Sequence, residues 1–275
     1  MNITIQDDFN LEKIIRSGQS FRSQEIQKDI FRFMTGSNIL YLQQTKEKSF
    51  TASCNDQEWS AIWKSFFDLD RNYNVIREQS YGRHLFIDQA IDAGEGLRIL
   101  KQDPWEMLIT FIISQRKNIP AISKSVELLA RMYGKQIETD LETINLFPTP
   151  DEMVSATEDD LRKCGLGYRA PYIMDAIQHV INGSLNLEAI AAYHTADLLD
   201  ELQKVHGVGK KVANCIALFA YGRTDCVPVD VWISRAIQED CFGDNPFPLY
   251  KENAGIIQQY VFYYQKNRHS DNKRS

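Results

Sequence analysis

No Cys-x-x-Cys pair occurs in this 275-residue chain, and its five histidines never stand four apart as the two ligands of a helical zinc site do. The five cysteines, at 54, 164, 215, 226 and 241, are odd in number and irregularly spaced, which fits reduced thiols in a cytoplasm better than a disulfide framework. No apolar run approaches the roughly 18 to 20 residues of a membrane span. The longest, "MLITFII" at 107 to 113, is broken by Thr110. The opening "MNITIQDDFN" has neither a basic start nor an apolar stretch, so no secretion signal is expected. The spacing GxxxxGK[ST] is absent, which excludes a nucleotide-triphosphate loop. Positive charge is in deficit: 31 Lys and Arg against 37 Asp and Glu leave −6, so any grip on a polyanion must be local.

What is present is an ordinary globular composition, 43% hydrophobic and 25% charged, able to bury one large core or two modest ones. Residues 20 to 54 favour an antiparallel meander, because "DIFRFMTG", "NILYLQQT" and "SFTAS" are β-branched and aromatic and are separated by turn signals. Beyond them the periodicity is helical, with helices expected at about 83–93, 104–115, 118–133, 158–164, 168–182, 195–204, 210–221, 230–240 and 249–266. Thr157 with Asp160 reads as a capping pair, and Pro104 and Pro120 fall where a first helical turn tolerates proline. The layout is α+β: an N-terminal antiparallel sheet domain over 1–98 and a mostly helical body over 99–275.

Two stretches echo each other. "LRKCGLGYRA" (161–170) and "LQKVHGVGKKVA" (202–213) both run Leu-x-Lys, then Gly-x-Gly, then a basic residue, each between two helices. Either alone reads as a glycine C-cap. Together they suggest turns whose exposed N–H groups, with the start of the next helix, receive a phosphate. In the second, Lys210 and Lys211 crowd a helix start that is already electropositive, so something negative from outside is implied. Adjacent helical residues point about 100° apart. One lysine can therefore face a phosphate while Lys211, followed by small and apolar residues, faces inward, where burial would favour the neutral, nucleophilic amine. In "CVPVDVW", Asp230 falls at the next helix start. It is an N-cap by its own spacing, and a carboxylate able to steady a cationic transition state beside such a lysine. In "AGIIQQYVFYY", Gln258 and Phe262 share a helix face, which suits a flat heterocycle and equally suits an amphipathic core helix. Other basic residues (Arg116 with Lys117, Arg162 with Lys163, and the tail "KNRHSDNKRS") read singly as solvated faces.

"HGVGKKVANC" joined to "VPVDVW", with "SGQSFR" (17–22), "GLGYRA" (165–170) and "AGIIQQYVF" in the same order, resembles the helix-hairpin-helix DNA glycosylases and, within them, the prokaryotic branch of the 8-oxoguanine DNA glycosylase/lyase family. The resemblance implies a helix-hairpin-helix motif near 195–222 and a base-recognition helix at 249–266. It implies that Lys211 attacks C1′ to form a Schiff base that goes on to strand cleavage, and that Asp230 stabilises the developing charge. The Gly18 carbonyl would accept from the proton that oxidised guanine carries at N7. Gln258 would read the Watson–Crick edge, Phe262 and Cys215 would sandwich the ring, and Phe219 would wall the pocket. Tyr168 would wedge into the duplex, Arg169 would contact the orphaned base, and His206, Gly207, Gly209 and Lys210 would hold phosphates.

Three positions depart from the family's eukaryotic pattern. Arg116 and Ala121 stand where an asparagine and an arginine are familiar in "SQRKNIPAI", and Trp232 stands where a phosphate-contacting histidine is familiar. Weaker discrimination for cytosine opposite the lesion is therefore expected. The resemblance implies damaged double-stranded DNA as partner, a monomer, a cytoplasmic and nucleoid-associated place, and no cofactor beyond a monovalent or divalent cation at the hairpin. Alternative readings are a glycosylase for other damaged bases, whose oxidised-pyrimidine members often carry an iron–sulfur motif absent here, and a noncatalytic helix-hairpin-helix DNA-binding protein.

Overall fold

The computed structural model describes residues 1–271, with the side chains of Ser270 and Asp271 left aside. Lys273 and Arg274 of the basic tail lie outside the described residues. The chain divides into two compact units, residues 1–33, 40–101 and 222–275 in the first, and 34–39 with 102–221 in the second. This division differs from the single boundary expected after residue 98. The chain crosses over near 101 but returns at 222, so the C-terminal helix clusters with the N-terminal residues.

In the first unit the sheet runs β1 (Asn2–Thr4), β5 (Ser49–Ala52), β4 (Asn38–Lys46), β3 (Ile30–Thr35), β2 (Gln24–Gln27), and its described pairings are antiparallel. The short α1 (Leu11–Arg16) is capped by Asn10, whose side chain accepts from the Lys13 N–H. Two three-residue pieces, α2 (Asp56–Glu58) and α3 (Lys64–Phe66), flank a π-type stretch, and α4 (Tyr73–Ser80) and α5 (Leu85–Ala93) follow. Aromatic rings fill the core: Phe33 meets Phe67 at 4.9 Å, and Phe67 meets Phe66 at 4.9 Å, both edge to face. Each such pair adds about 0.5–1.5 kcal/mol beyond its buried area. Beside that core, Arg98 is fully buried. Its Nε donates to the Phe67 carbonyl at 2.8 Å, Nη1 to Asp7 Oδ2 at 2.8 Å and the Asp8 carbonyl at 2.9 Å, and Nη2 to the carbonyls of Asp68 and Arg71 at 2.5 and 2.8 Å. All its donors are thereby satisfied, as a buried guanidinium requires. The unit closes with α12 (Val231–Arg235) and α13 (Ala254–Asp271), and α13 packs on α5 and α12.

In the second unit α6 (Pro104–Ser114) is central. Every residue from Trp105 to Ile113 is buried, and α7 (Ile119–Tyr133), α9 (Ala170–Ile181) and α11 (Lys210–Phe219) pack around it. A helix this largely apolar, with even Glu106 and Thr110 buried, has to be enclosed in this way. Asp103 caps it and Pro104 opens its first turn. The hairpin β6 (Gln136–Glu138) and β7 (Thr143–Asn145), α8 (Glu158–Lys163) and α10 (Thr195–Leu202) complete the unit. Thr157 caps α8 through the Asp160 N–H at 3.2 Å, and its hydroxyl donates to the Asp160 carboxylate. No helix among the described residues is long and apolar enough to cross a membrane.

Two expected helices are corrected. The C-terminal helix begins at Ala254 rather than 249, because Lys251, at φ 48° and ψ −122°, breaks the chain into a 3₁₀ turn before it. The helix expected over 230–240 is α-helical only to Arg235 and widens to a π-type turn over Ala236–Asp240. The sequence does not announce β1, β6, β7 or α1, which are three to six residues long and carry little periodicity to read.

The Arg98 cluster makes a test. Burial alone would raise the Asp7 carboxyl, but the Arg98 guanidinium and the amide donors of Tyr73 and Asn74 outweigh it and hold it below the ordinary carboxylate range. A carboxyl lowered in the fold contributes stability above its unfolded value of about 3.9, lost as pH falls through the lower folded value. Arg98→Met leaves Asp7 and several carbonyls without their donor. Urea unfolding at neutral pH is expected to show a loss of about 3–5 kcal/mol, with the Asp7 share of the acid-side decline reduced to what the Tyr73 and Asn74 amides sustain.

Candidate functional site

α11 opens at Gly209, which caps it at φ −90°, ψ 179° and offers no side chain to the first amides. Lys210 is exposed and Lys211 is half buried, so the adjacent ammonium groups part as the helical turn dictates. The Lys211 amine lies 5.8 Å from the centroid of the Phe111 ring on α6. Phe111 in turn stacks on Phe219, centroids 5.6 Å apart and planes 16° apart. Lys211, Cys215 and Phe219 are spaced i, i+4, i+8 and share one face of α11, with Cys215 and Phe219 buried along it.

Both Gly-x-Gly turns lie in this unit. Gly165 and Gly207, the first glycine of each, have φ of 74° and 86°. At Gly207 a Cβ would come within 2.4 Å of the Tyr172 ring, so both sterics and backbone require glycine. The turns differ at their second glycine. Gly167 keeps φ 55° and opens a 3₁₀ turn, while Gly209 is extended and caps α11. Tyr172 joins them: its ring meets Tyr168 at 6.1 Å and His206 at 4.6 Å. The exposed His206 gives its backbone N–H to Asp175 at 2.7 Å.

Between α6 and α7 runs a short loop, with Arg116 at its apex, exposed and at φ 51°. Gln115 donates through Nε2 to the carbonyls of Ile112 and Gly207, both at 3.1 Å. Lys117 Nζ donates to Ser125 Oγ and to the Gly165 carbonyl, both at 2.6 Å. Burial, with a smaller push from Arg169, lowers the Lys117 ammonium below the usual lysine range. Ala121 lies on α7, its N–H taken by Asn118. Tyr168 is 47% exposed, with the Arg169 guanidinium 4.3 Å from its ring centroid. Arg169 is only 5% exposed. Its Nη2 donates to the Gln115 carbonyl and its Nη1 to the Leu166 carbonyl, so in this structure it is turned into the protein.

The first unit carries the remaining expected residues. Gly18, at φ 80°, sits in a loop pinned by the fully buried Gln19, whose Nε2 donates to Ser17 Oγ and the Arg98 carbonyl and whose Oε1 accepts from Leu100. Gln259 of α13 donates to the Ser17 carbonyl at 2.9 Å, tying that loop to the helix that bears Gln258 and Phe262. Gln258 is 3% exposed and its Oε1 has no hydrogen-bond partner among the described residues. An unmet buried acceptor of this kind costs about 1–3 kcal/mol. Phe262, one turn on, is half buried. Asp230 caps α12 by accepting from the Ile233 N–H at 2.9 Å. Trp232 lies against His269, ring centroids 5.1 Å apart, and beneath the Arg235 guanidinium at 5.5 Å. Among the described residues no group of three or more His, Cys, Asp or Glu could hold a metal ion.

Four residues of this arrangement escaped the sequence: Phe111, Gln115, Lys117 in its bonding role, and Tyr172. Tyr172 stands four after Tyr168 in the helix expected over 168–182, a signal that was available. Phe111 lies in the apolar "MLITFII", where nothing distinguishes it from its neighbours.

Known proteins share both halves of this chain. The family model for the N-terminal domain of 8-oxoguanine DNA glycosylase matches residues 2–108, and that for the HhH-GPD superfamily base excision DNA repair proteins matches residues 109–255. The structure of MBOgg1 in complex with a low-affinity DNA ligand is 33% identical, with a TM-score of 0.91 over 98% of this chain and 96% of that one. The Clostridium acetobutylicum 8-oxoguanine glycosylase/lyase, bound to double-stranded DNA with cytosine opposite 8-oxoguanine, is 31% identical, with a TM-score of 0.88 over 96% and 93%. A probable N-glycosylase/DNA lyase of Methanothermobacter thermautotrophicus is 29% identical over 225 residues, 71% of this chain and 70% of the relative. The chain therefore belongs to the HhH-GPD superfamily of base excision DNA repair proteins, with the N-terminal domain of the 8-oxoguanine DNA glycosylases.

Proposed function

We propose that this protein excises 8-oxoguanine from duplex DNA and then nicks the strand at the resulting site. The observation that carries this reading is a half-buried lysine in the first turn of a glycine-capped helix, Lys211, in a chain similar over 96% of its length to a glycosylase/lyase bound to such a duplex. The target nucleotide must leave the stack to be reached. The Lys211 amine then attacks C1′, the glycosidic bond breaks with its electron pair going to the base, which takes up the amine proton, and the C1′–O4′ bond then opens with O4′ taking a proton, which leaves the protonated Schiff base. Loss of a proton from C2′ expels the 3′ phosphate by β-elimination. Asp230 stabilises the positive charge that develops on the sugar.

Recognition rests on a hydrogen-bond inversion. Guanine offers an acceptor at N7, whereas the oxidised base carries a proton there, so the Gly18 carbonyl accepts from the lesion and repels the normal base by about 1–3 kcal/mol. The unpartnered Oε1 of Gln258 is an acceptor waiting for a donor on the base edge, and Phe262 and Cys215 flank the ring. Phosphates are held by the Gly207–Lys210 turn with His206, and Trp232 takes part in the backbone grip. Tyr168 enters the duplex at the lesion. Arg169 reaches the orphaned base by leaving the Gln115 and Leu166 carbonyls that it now holds. The chemistry needs no cofactor. The protein acts as a monomer in the cytoplasm, on nucleoid DNA.

Two outcomes are expected. With a duplex bearing one 8-oxoguanine, borohydride should trap a covalent adduct. Lys211→Gln should abolish the adduct while keeping damaged-DNA binding, and Lys210→Gln should chiefly weaken binding and flatten its salt dependence by roughly one unit of slope. Equal trapping by both variants would remove Lys211 as nucleophile, and binding by the native protein without any product would favour a noncatalytic DNA-binding role. Second, because Arg116 and Ala121 replace the familiar asparagine and arginine, single-turnover excision opposite adenine should fall by less than about tenfold relative to cytosine, the scale of a single missing hydrogen bond. A drop of a thousandfold would contradict it.

A further inference from the structure

We propose that Gln115 and Lys117 are positioning residues that set both Gly-x-Gly turns from a single loop, so that the phosphate grip and the Arg116 side chain keep a defined spacing on DNA. The proposal rests on the DNA-glycosylase reading above and adds to it the device that aligns its parts. The observation is a correspondence. Each turn presents the carbonyl of its first glycine, and each carbonyl is taken by a side chain from the same loop: Gly207 by Gln115 at 3.1 Å and Gly165 by Lys117 at 2.6 Å. The two donors are the immediate neighbours of Arg116.

Pinning these oxygens fixes peptides. At Gly207–Val208 the carbonyl is held by Gln115 and the N–H by the Val205 carbonyl at 3.0 Å, so neither end of that peptide can rotate freely. The amides that follow, at the uncapped start of α11, inherit the orientation. At the other turn, the Gly165 N–H is held by Arg162 at 2.9 Å and its carbonyl by Lys117. The loop is itself restrained, since Arg169 donates to the Gln115 carbonyl and the Lys117 N–H donates to Ser114 at 3.1 Å. Arg116 sits between these anchors at φ 51°, a conformation that a side chain other than glycine keeps only where its surroundings over-determine it. Its exposed side chain is the part of the loop left free to meet a partner.

The test uses the full chain and a duplex containing one tetrahydrofuran abasic site, which binds but cannot react, with affinity measured by fluorescence anisotropy over a salt series. Gln115→Met keeps length and charge but removes the donor to Gly207. Kd is expected to rise about tenfold, and the slope of log Kd against log salt to shrink by roughly 0.9 for each phosphate that is no longer gripped. Because that substitution changes no charge, a smaller slope can come only from phosphate-binding groups moved out of register. Lys117→Met should weaken binding similarly, and Lys117→Arg, which can still donate to Gly165, should recover most of it. Native affinity and slope in Gln115→Met would overturn the proposal. So would weaker binding at an unchanged slope with a lowered unfolding temperature, which is general destabilisation. If the native protein binds this duplex with the expected variant effects but traps no borohydride adduct on the 8-oxoguanine duplex, the catalytic reading falls and the positioning role stands.

Discussion

The enclosure of α6 is the constraint on which the second unit depends. Nine consecutive residues of that helix, Trp105 to Ile113, are buried, so neighbouring helices must cover it on all sides. Its interior is pinned as well as packed, for Trp105 Nε1 donates to the Pro148 carbonyl at 2.9 Å. A helix held this way cannot shift along its axis without opening voids. Whatever leaves its C-terminal end, and whatever rests on its flank, is therefore placed by the core. The loop with Arg116 leaves that end, and Phe111, under the Lys211 amine, lies on the flank. The Lys211 amine is thus placed against a rigid helix rather than against a loop.

In the first unit the corresponding constraint is the fastening of the Gly18 loop to α13. Gln259 and Gln258 are adjacent in sequence and opposite in use. Gln259 is spent on the Ser17 carbonyl, which fastens the Gly18 loop to α13, while Gln258 keeps a buried oxygen unmatched. Structures tolerate such an orphan where function requires it. The free energy to carry it comes from nearby order, including the Gln19 network that immobilises the same loop.

Much of this was legible beforehand, for identifiable reasons. Helix starts announced themselves through Thr157 and Asp230, whose side chains accept from amides three residues on, and through Pro104 and Pro120 in first turns, local rules that sequence alone can express. The divergence of Lys210 from Lys211 follows from helical geometry and needs no tertiary information. What could not be read was long-range. Gln115 and Gly207 stand 92 residues apart, and nothing in "SQRKN" says which carbonyl the amide will find. Arg169 shows the same limit at shorter range. The motif suggests an outward contact, whereas packing has folded the guanidinium over Tyr168 and onto backbone carbonyls. Lys251 breaks an otherwise plausible helix through a backbone angle that its residue type does not advertise.

Gly209 has a meaning beyond conformational ease. Asparagine, aspartate, serine or threonine at that position would bend its own oxygen back onto the following amides and neutralise the helix mouth from within. By supplying only hydrogen, the chain declines an internal ligand and leaves the α11 entrance as an open electrostatic socket. On the function proposed above, the stability forgone there serves to hold an oxyanion from outside the chain.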